Sequence, residues 1–473
     1  MNEENLHKHS YSLSRRKLLK YAFSSGLAAT LPTSVFLNGC DAKPERKNLK
    51  TGRPNVVIIL CDTLRPDYLG FHGFPREIAP FLAKLAKNSV VFKRAFSTSS
   101  WTAPSTASLF TSRYPHRHGV IEGLSCFDRR MEVFKKEGKV LIDLNRIPSD
   151  ILTMPELFRS IGYSTIGVAS NRNIGSEMGF DRGFDKFEHS QEKAGSDGGP
   201  ASALYKRVKG WVGDISSSKP VFLYMHLNDV HAPYDKHLLY YDKPQNEEDE
   251  PKAKYLSEIR YLDKYIRKIY KLMNADSNTI FVVLSDHGEE FMDHGGIRHS
   301  PTLYRELTNV LAMFHAPFLN FKPQSIDTNI SLIDVLPTIL DLVNLDKISG
   351  MEGLSVKSLL KADQRSKALT DQLNDRTIFT HRIVRDPQIN LWGAINRHWN
   401  MIEFQDNTKK LFDHRSDTKE LIDVFSENMQ LTEQLTAKLE HFKTHGKRKS
   451  ETVPFKINNE LVETLKSLGY VDD

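Results

Sequence analysis

Three continuous, nearly apolar runs constrain the fold of this chain most: Val56 to Leu60, Val221 to His226 and Thr279 to Leu284. None alternates with polar residues as a half-exposed strand would. Each therefore reads as a strand covered on both faces, the mark of a parallel sheet. Helical spacing lies between them, over 79–90 (Phe81, Leu82, Leu85, Val90) and over 254–273 (Tyr255, Ile259, Leu262, Ile266, Ile269). Strands alternating with helices predict an α/β fold: a doubly wound, mostly parallel sheet flanked by helices. Short strand-like segments at 376–383, 389–396 and 399–405 follow, with turns at Asp386-Pro387 and Asn396-Arg397. With an amphipathic helix around 428–444, they predict a small C-terminal antiparallel sheet plus helix.

In open α/β sheets, ligands bind beyond the carboxyl ends of the strands. The first run ends at Asp62 and the third at Asp286-His287, while the second is followed closely by Asp229-Val230-His231. Acidic and imidazole side chains at buried strand ends are costly unless they are paired or hold a cation. Asp62, Asp286 and His287 are therefore candidate ligands of one divalent metal, and the imidazole suits manganese or zinc. Thr102 lies in a hydroxyl-rich loop, Ser99-Ser100-Trp101-Thr102, that opens a helix. Beside a metal its hydroxyl is acidified and becomes a nucleophile, and the helix N-terminus favours a bound anion. His231 and His299 are candidates to contact that anion and protonate a leaving oxygen, with His294 as a further substrate contact.

Composition sets outer limits. The 473 residues are 39% hydrophobic and 26% charged, which argues against disorder across the whole chain. The net charge of +6 suits an anionic substrate. No Lys/Arg stripe accompanies it, so a nucleic-acid partner is not expected. Three cysteines, Cys40, Cys61 and Cys126, are too few for a disulfide framework.

Residues 1–39 read as an address. Arg15-Arg16 and the basic residues around them precede a less polar stretch from Tyr21 to Leu37, the order of a signal peptide. The paired arginines resemble a twin-arginine export signal. Leu37-Asn38-Gly39-Cys40 resembles a bacterial lipobox, with lipidation expected at Cys40. Residues 40–52, charged and containing Pro and Gly, read as a tether. The expectation is an exported protein, lipid-anchored to a bacterial membrane and facing the periplasm or exterior.

Several ordered motifs resemble the sulfatase family, within the alkaline-phosphatase-like superfamily. They are Asn55 to Gly70, with Asp62-Thr63-Leu64-Arg65-Pro66-Asp67 at its centre; Ala103-Pro104-Ser105-Thr106-Ala107-Ser108-Leu109; Ser285-Asp286-His287-Gly288-Glu289; and, more loosely, Lys410-Leu411-Phe412-Asp413 and Leu465 to Tyr470. The resemblance implies a catalytic domain over 53–370 and a C-terminal subdomain over 371–473. It also implies one divalent cation, calcium in the family, and cleavage of sulfate esters. By position, Asp62, Asp286 and His287 would be ligands and Thr102 the nucleophile. His231 and His299 would meet the anion or leaving group.

The chain departs from the pattern in ways that bear on mechanism. The family's nucleophile is a Cys or Ser converted to formylglycine, with Pro two residues later and Arg four later; here these positions hold Thr102, Pro104 and Thr106. Threonine cannot give formylglycine, because its β-carbon carries a methyl group. The family's Gly-Lys-x-His segment corresponds to Ser170-Asn171-Arg172-Asn173, which makes Asn171 and Arg172 the substrate-binding candidates there. Two other readings stand beside sulfate-ester hydrolysis. One is a Thr-nucleophile phosphodiesterase or phosphoryl/phosphoethanolamine transferase; the other is a non-catalytic, lipid-anchored binding protein.

Overall fold

A computed structural model describes residues 52–124, 131–189, 200–214, 219–299, 301–361, 366–384, 388–459 and 462–463. The export signal, the lipidation site at Cys40, nearly all of the tether, Cys126, the turn at Asp386-Pro387 and the motif from Leu465 to Tyr470 lie outside the described residues. Along the chain the first strands are β1 (Asn55–Cys61), β2 (Val90–Phe96), β3 (Lys139–Arg146), β4 (Ser164–Ala169), β5 (Lys186–His189), β6 (Val221–Leu227), β7 (Thr279–Ser285), β8 (Glu290–Phe291) and β9 (Ile297–Arg298). They continue with β10 (Asn309–His315), β11 (Gln324–Ile326), β12 (Ile330–Ser331), β13 (Ile378–Val384), β14 (Ile389–Ile395), β15 (Trp399–Glu403), β16 (Lys409–Asp413) and β17 (Glu451–Asn458).

The three apolar runs form the centre of a sheet ordered β11-β2-β10-β7-β1-β6-β4-β5, with β12 also paired to β2. β1 is parallel to both β6 and β7, and β4 is parallel to β5 and β6. Only β10 runs against its neighbours, β7 and β2. The α/β, mostly parallel expectation is thus borne out, with one reversed strand.

Strand alternation explains why the runs are apolar throughout. Val56, Ile58 and Leu60 pack on one side of the sheet with Leu109, Phe110, Leu336 and Ile339. Val57, Ile59 and Cys61 pack on the other with Leu82, Leu204, Ile259 and Ile266. Helices Thr102–Thr111 and Val335–Leu342 therefore cover one face, and Pro80–Ala86, Pro200–Gly213 and Glu250–Leu272 the other. Every side chain of β1 from Val56 to Cys61 is 0% exposed, so a single polar substitution there would be buried without a partner.

The C-terminal antiparallel sheet is ordered β13-β14-β15-β16 and is accompanied by the helix Met429–Thr444. Leu435, Leu439 and Phe442 of that helix pack with Trp392, Met401 and Leu411. Residues 120–150 include the helix Met131–Glu137 and β3, and β3 pairs antiparallel with β17. The alternation of Val140, Ile142 and Leu144 with polar residues carries that strand; its partner lies some three hundred residues later in the sequence.

Candidate active site

Parity along the strands selects the face on which the site forms. Asp62 continues the alternation of Val56, Ile58 and Leu60, and Asp286 continues that of Ile280, Val282 and Leu284. Both belong to the face covered by helix Thr102–Thr111, whose first residue is Thr102. The helix is pinned there by Ser105, whose Oγ donates to the backbone oxygen of Asp286 at 2.7 Å. Trp101 holds the cap position without a side-chain cap bond, so the Thr102 hydroxyl is not spent on capping the helix.

Four predicted residues meet. His287 Nε2 lies 3.2 Å from Thr102 Oγ1, 3.6 Å from Asp286 Oδ2 and 3.7 Å from Asp62 Oδ1. Asp62, Asp286 and His287 are fully buried, and Thr102 nearly so. His287 Nδ1 donates to the Gly288 carbonyl at 2.9 Å, which leaves the Nε2 lone pair facing the cluster. Asp286 Oδ1 accepts from the backbone N–H groups of Thr63 and His287. The other carboxylate atoms, Asp62 Oδ1 and Asp286 Oδ2, have no hydrogen-bond partner among the described residues. Two buried acceptors without donors, plus an imidazole lone pair, fit a cation. Bonds of 2.0–2.2 Å in a tetrahedral site put neighbouring ligands about 3.4 Å apart, close to the separations found.

Electrostatics tells the same story. Burial opposes ionisation of Asp62, but the hydrogen bond from His226 and the surrounding imidazoles hold its carboxyl well below the usual range. Burial and the Asp62 charge push Asp286 well above it. Two adjacent carboxyls driven apart in this way share a deficit of positive charge, which a divalent cation removes.

His226 is the residue that the sequence reading passed over. It sits near the end of β6, and its Nε2 is 2.9 Å from Asp62 Oδ2, with Tyr224 Oη 3.0 Å from its Nδ1. Asp62, His226 and Asp286 offer ligand atoms within 4.8 Å of one another. Because His226 Nε2 is engaged with Asp62 Oδ2, we read it as the group that orients Asp62, and Asp62 Oδ1, Asp286 Oδ2 and His287 Nε2 as the ligand set. The only imidazole in an otherwise apolar, fully buried strand was the available signal.

Asn171 joins the same shell. Its Nδ2 donates to Asp62 Oδ2 at 2.5 Å and to Asn228 Oδ1 at 3.1 Å, while its Oδ1 accepts from the Asn173 backbone. Its amide is thus engaged in holding a carboxylate. Arg172, next to it, is half-buried and its Nε has no partner among the described residues.

His299 and His231 face each other with ring centroids 4.9 Å apart, and His299 is 5.2 Å from His287. Burial pushes His231 down to about 4 and His299 well below its ordinary value, the latter with help from His287 and Arg382. His299 Nδ1 is 3.3 Å from Glu289 Oε1, and Glu289 is pushed up to about 7 by burial. An anion entering this space raises the proton affinity of both imidazoles.

His294 lies in a different cluster, with Glu290 and Glu306. Its Nδ1 is 2.7 Å from Glu306 Oε1, its Nε2 is 3.1 Å from the Glu420 backbone oxygen, and its ring stacks on Tyr304. These contacts give it a bracing position between the main sheet's late loop and the C-terminal region. Burial opposes its charge, but the Glu306 pair outweighs that and holds it up to about 9. A histidine raised in the folded state adds stability that is complete below its unfolded pKa, about 6.5, and lost as pH rises through the folded value. The urea midpoint is therefore expected to fall between pH 6.5 and about 9. His294→Gln, which keeps a donor toward Glu306, should flatten that slope; an unchanged slope would place its origin elsewhere.

Comparison with known proteins agrees with this geometry. The sulfatase family model matches residues 54–345, which include every ligand candidate and Thr102. An arylsulfatase of Clostridium perfringens is 24% identical over 450 residues, covering 79% of this chain and 90% of that protein. A Delta 4,5-hexuronate-2-O-sulfatase of Bacteroides thetaiotaomicron is 20% identical, covering 67% and 73%. Among solved structures, one in complex with its substrate D-glucosamine-2-N,6-O-disulfate superposes with a TM-score of 0.67 at 15% identity, over 84% of this chain and 98% of that one. The phosphonate monoester hydrolase of Agrobacterium radiobacter gives 0.66 at 15% identity, over 83% and 96%. At such identities the solved structures speak for the fold alone. The match over residues 54–345, a span that contains the strand-edge cluster of acids, imidazole and hydroxyl, makes this chain a member of the sulfatase family, the sulfuric ester hydrolases.

Proposed function

We propose that this protein is a metal-dependent sulfatase that uses unmodified Thr102 as its nucleophile. The observation that carries the reading is the convergence of Thr102 Oγ1 with His287 Nε2 and the unpartnered oxygens of Asp62 and Asp286. A divalent cation held there supplies the Lewis acidity that makes a hydroxyl nucleophilic near neutral pH; the imidazole and short spacing favour manganese or zinc over calcium.

The chain's own groups account for the rest. Thr102 Oγ1 attacks the ester sulfur and gives up its proton to His231 or His299, the bond from sulfur to the alcohol oxygen breaks, and the imidazole passes that proton to the departing alcohol. Thr102 then carries the sulfo group as an ester. Water attacks the same sulfur, restoring the Thr102 hydroxyl and releasing sulfate and a proton. His226 and Asn171 keep Asp62 oriented throughout.

A panel of aryl sulfates, sulfated sugars, phosphate monoesters and phosphodiesters tests the assignment. Sulfate esters are expected to be turned over best. Turnover confined to phosphodiesters would favour the second reading, which the hydroxyl nucleophile and the imidazole ligand support. We further propose that the protein is exported and held by a lipid on Cys40. Fatty-acid labelling should then vanish in Cys40→Ala, and persistent labelling of that variant would count against it.

A further inference from the structure

Arg65 and Arg382 are the two buried arginines among the described residues, and their surroundings differ. Arg65 is paired with Asp67 and Asp293. Arg382, on β13, is 5% exposed, pairs with no carboxylate of a described residue, and has an Nε without a hydrogen-bond partner. Glu122 attracts it only from beyond ion-pair distance. Its guanidinium carbon lies over the Trp101 ring, 4.3 Å from the centroid. Trp101 directly precedes Thr102, and its ring meets His299 at 4.9 Å. The positive charge of Arg382 bears on both His287 and His299. The residue before it, His381, donates its backbone N–H to the Thr98 carbonyl at 2.9 Å, tying β13 to the loop that carries Thr102.

A buried, unpaired guanidinium is unfavourable unless something arrives to pair with it. Its flat fork of donors matches two oxygens of an oxyanion. Thr106 and the Ser170 to Asn173 segment, where the resemblance led us to look for cations, hold only Arg172 between them. We propose that Arg382, braced on Trp101, is a substrate-binding residue that receives the oxyanion of the ester's sulfo group, so that the C-terminal sheet supplies the anion's counter-charge. This deepens the reading given under Proposed function and rests on its oxyanion substrate.

The test uses the metal-loaded, full-length protein and two probes, inorganic sulfate and inorganic phosphate, followed by thermal melting. Wild type is expected to gain stability from millimolar sulfate, phosphate or both. Arg382→Met, which keeps the packing on Trp101, is expected to melt at or above wild type without anion and to lose the anion response. Its KM for a sulfate ester should rise about tenfold or more, as for a lost charge-assisted pair, with a smaller change in kcat. Arg382→Lys should recover part of the response. An Arg382→Met protein that melts well below wild type yet keeps its anion response and KM would make Arg382 a structural brace and overturn the proposal. So would a wild type indifferent to both anions. If no sulfate ester is hydrolysed but the anion response still depends on Arg382, the anion site stands and the hydrolase reading is what fails.

Discussion

Thr102→Ala is expected to lower sulfate-ester turnover by about 10⁴-fold or more, the scale seen when a nucleophile that works as part of a unit is removed. Fold and metal content should remain close to wild type. The hydroxyl is nearly fully buried but serves neither as a helix cap nor as a strut, and the change to alanine removes little volume. Thr102→Ser keeps the attacking oxygen and should retain a measurable share of the rate, reduced because the methyl group no longer fixes the side-chain rotamer. Initial rates on one aryl sulfate, with metal analysis of each variant, decide the matter. A rate for Thr102→Ala within tenfold of wild type would mean that water attacks directly and that Thr102 only lines the site.

Asp286→Asn should have the second large effect. Its Oδ2 is one of the site's two carboxylate oxygens left without a donor among the described residues, and an amide cannot replace the charge a divalent cation requires. Bound metal, measured by mass spectrometry after exhaustive dialysis, is expected to drop from about one equivalent to a small fraction, with activity falling in parallel. Stability separates this from simple misfolding. Chelation should lower the melting temperature of wild type, because the buried carboxyls of Asp62 and Asp286 then lose the positive charge that pairs them. Asp286→Asn should be insensitive to chelator. A variant that retains a full equivalent of metal would refute the ligand set.

The fold was legible where burial is uniform. β1, β6 and β7 announce themselves because both faces of the sheet are covered, and a strand of that kind tolerates almost no polar residue. Asp62, Asp286 and His287 were legible for the same reason, as the first polar groups after such runs. His226 was not, since one imidazole inside an apolar strand reads as part of the strand until its partner is known. Arg382 was hidden differently: its neighbour Trp101 lies about 280 residues earlier in the sequence. The pairing of β3 with β17 was illegible for a related reason, because local periodicity reports a strand's existence and not its partner. His294 shows the converse. It sits seven residues beyond a ligand in sequence, yet the charges that raise it are Glu306 and the C-terminal Glu420.

The pairing of β3 with β17 has a consequence for biosynthesis. A ribosome exposes the Lys139–Arg146 edge first and delivers its complement, Glu451–Asn458, only after some three hundred further residues. For that interval an amphipathic ribbon with Val140, Ile142 and Leu144 on one side is open to pairing with other nascent chains. Truncation between Arg382 and Glu451 makes that interval permanent, so shortened products should accumulate as aggregates even though every catalytic group has already been synthesised.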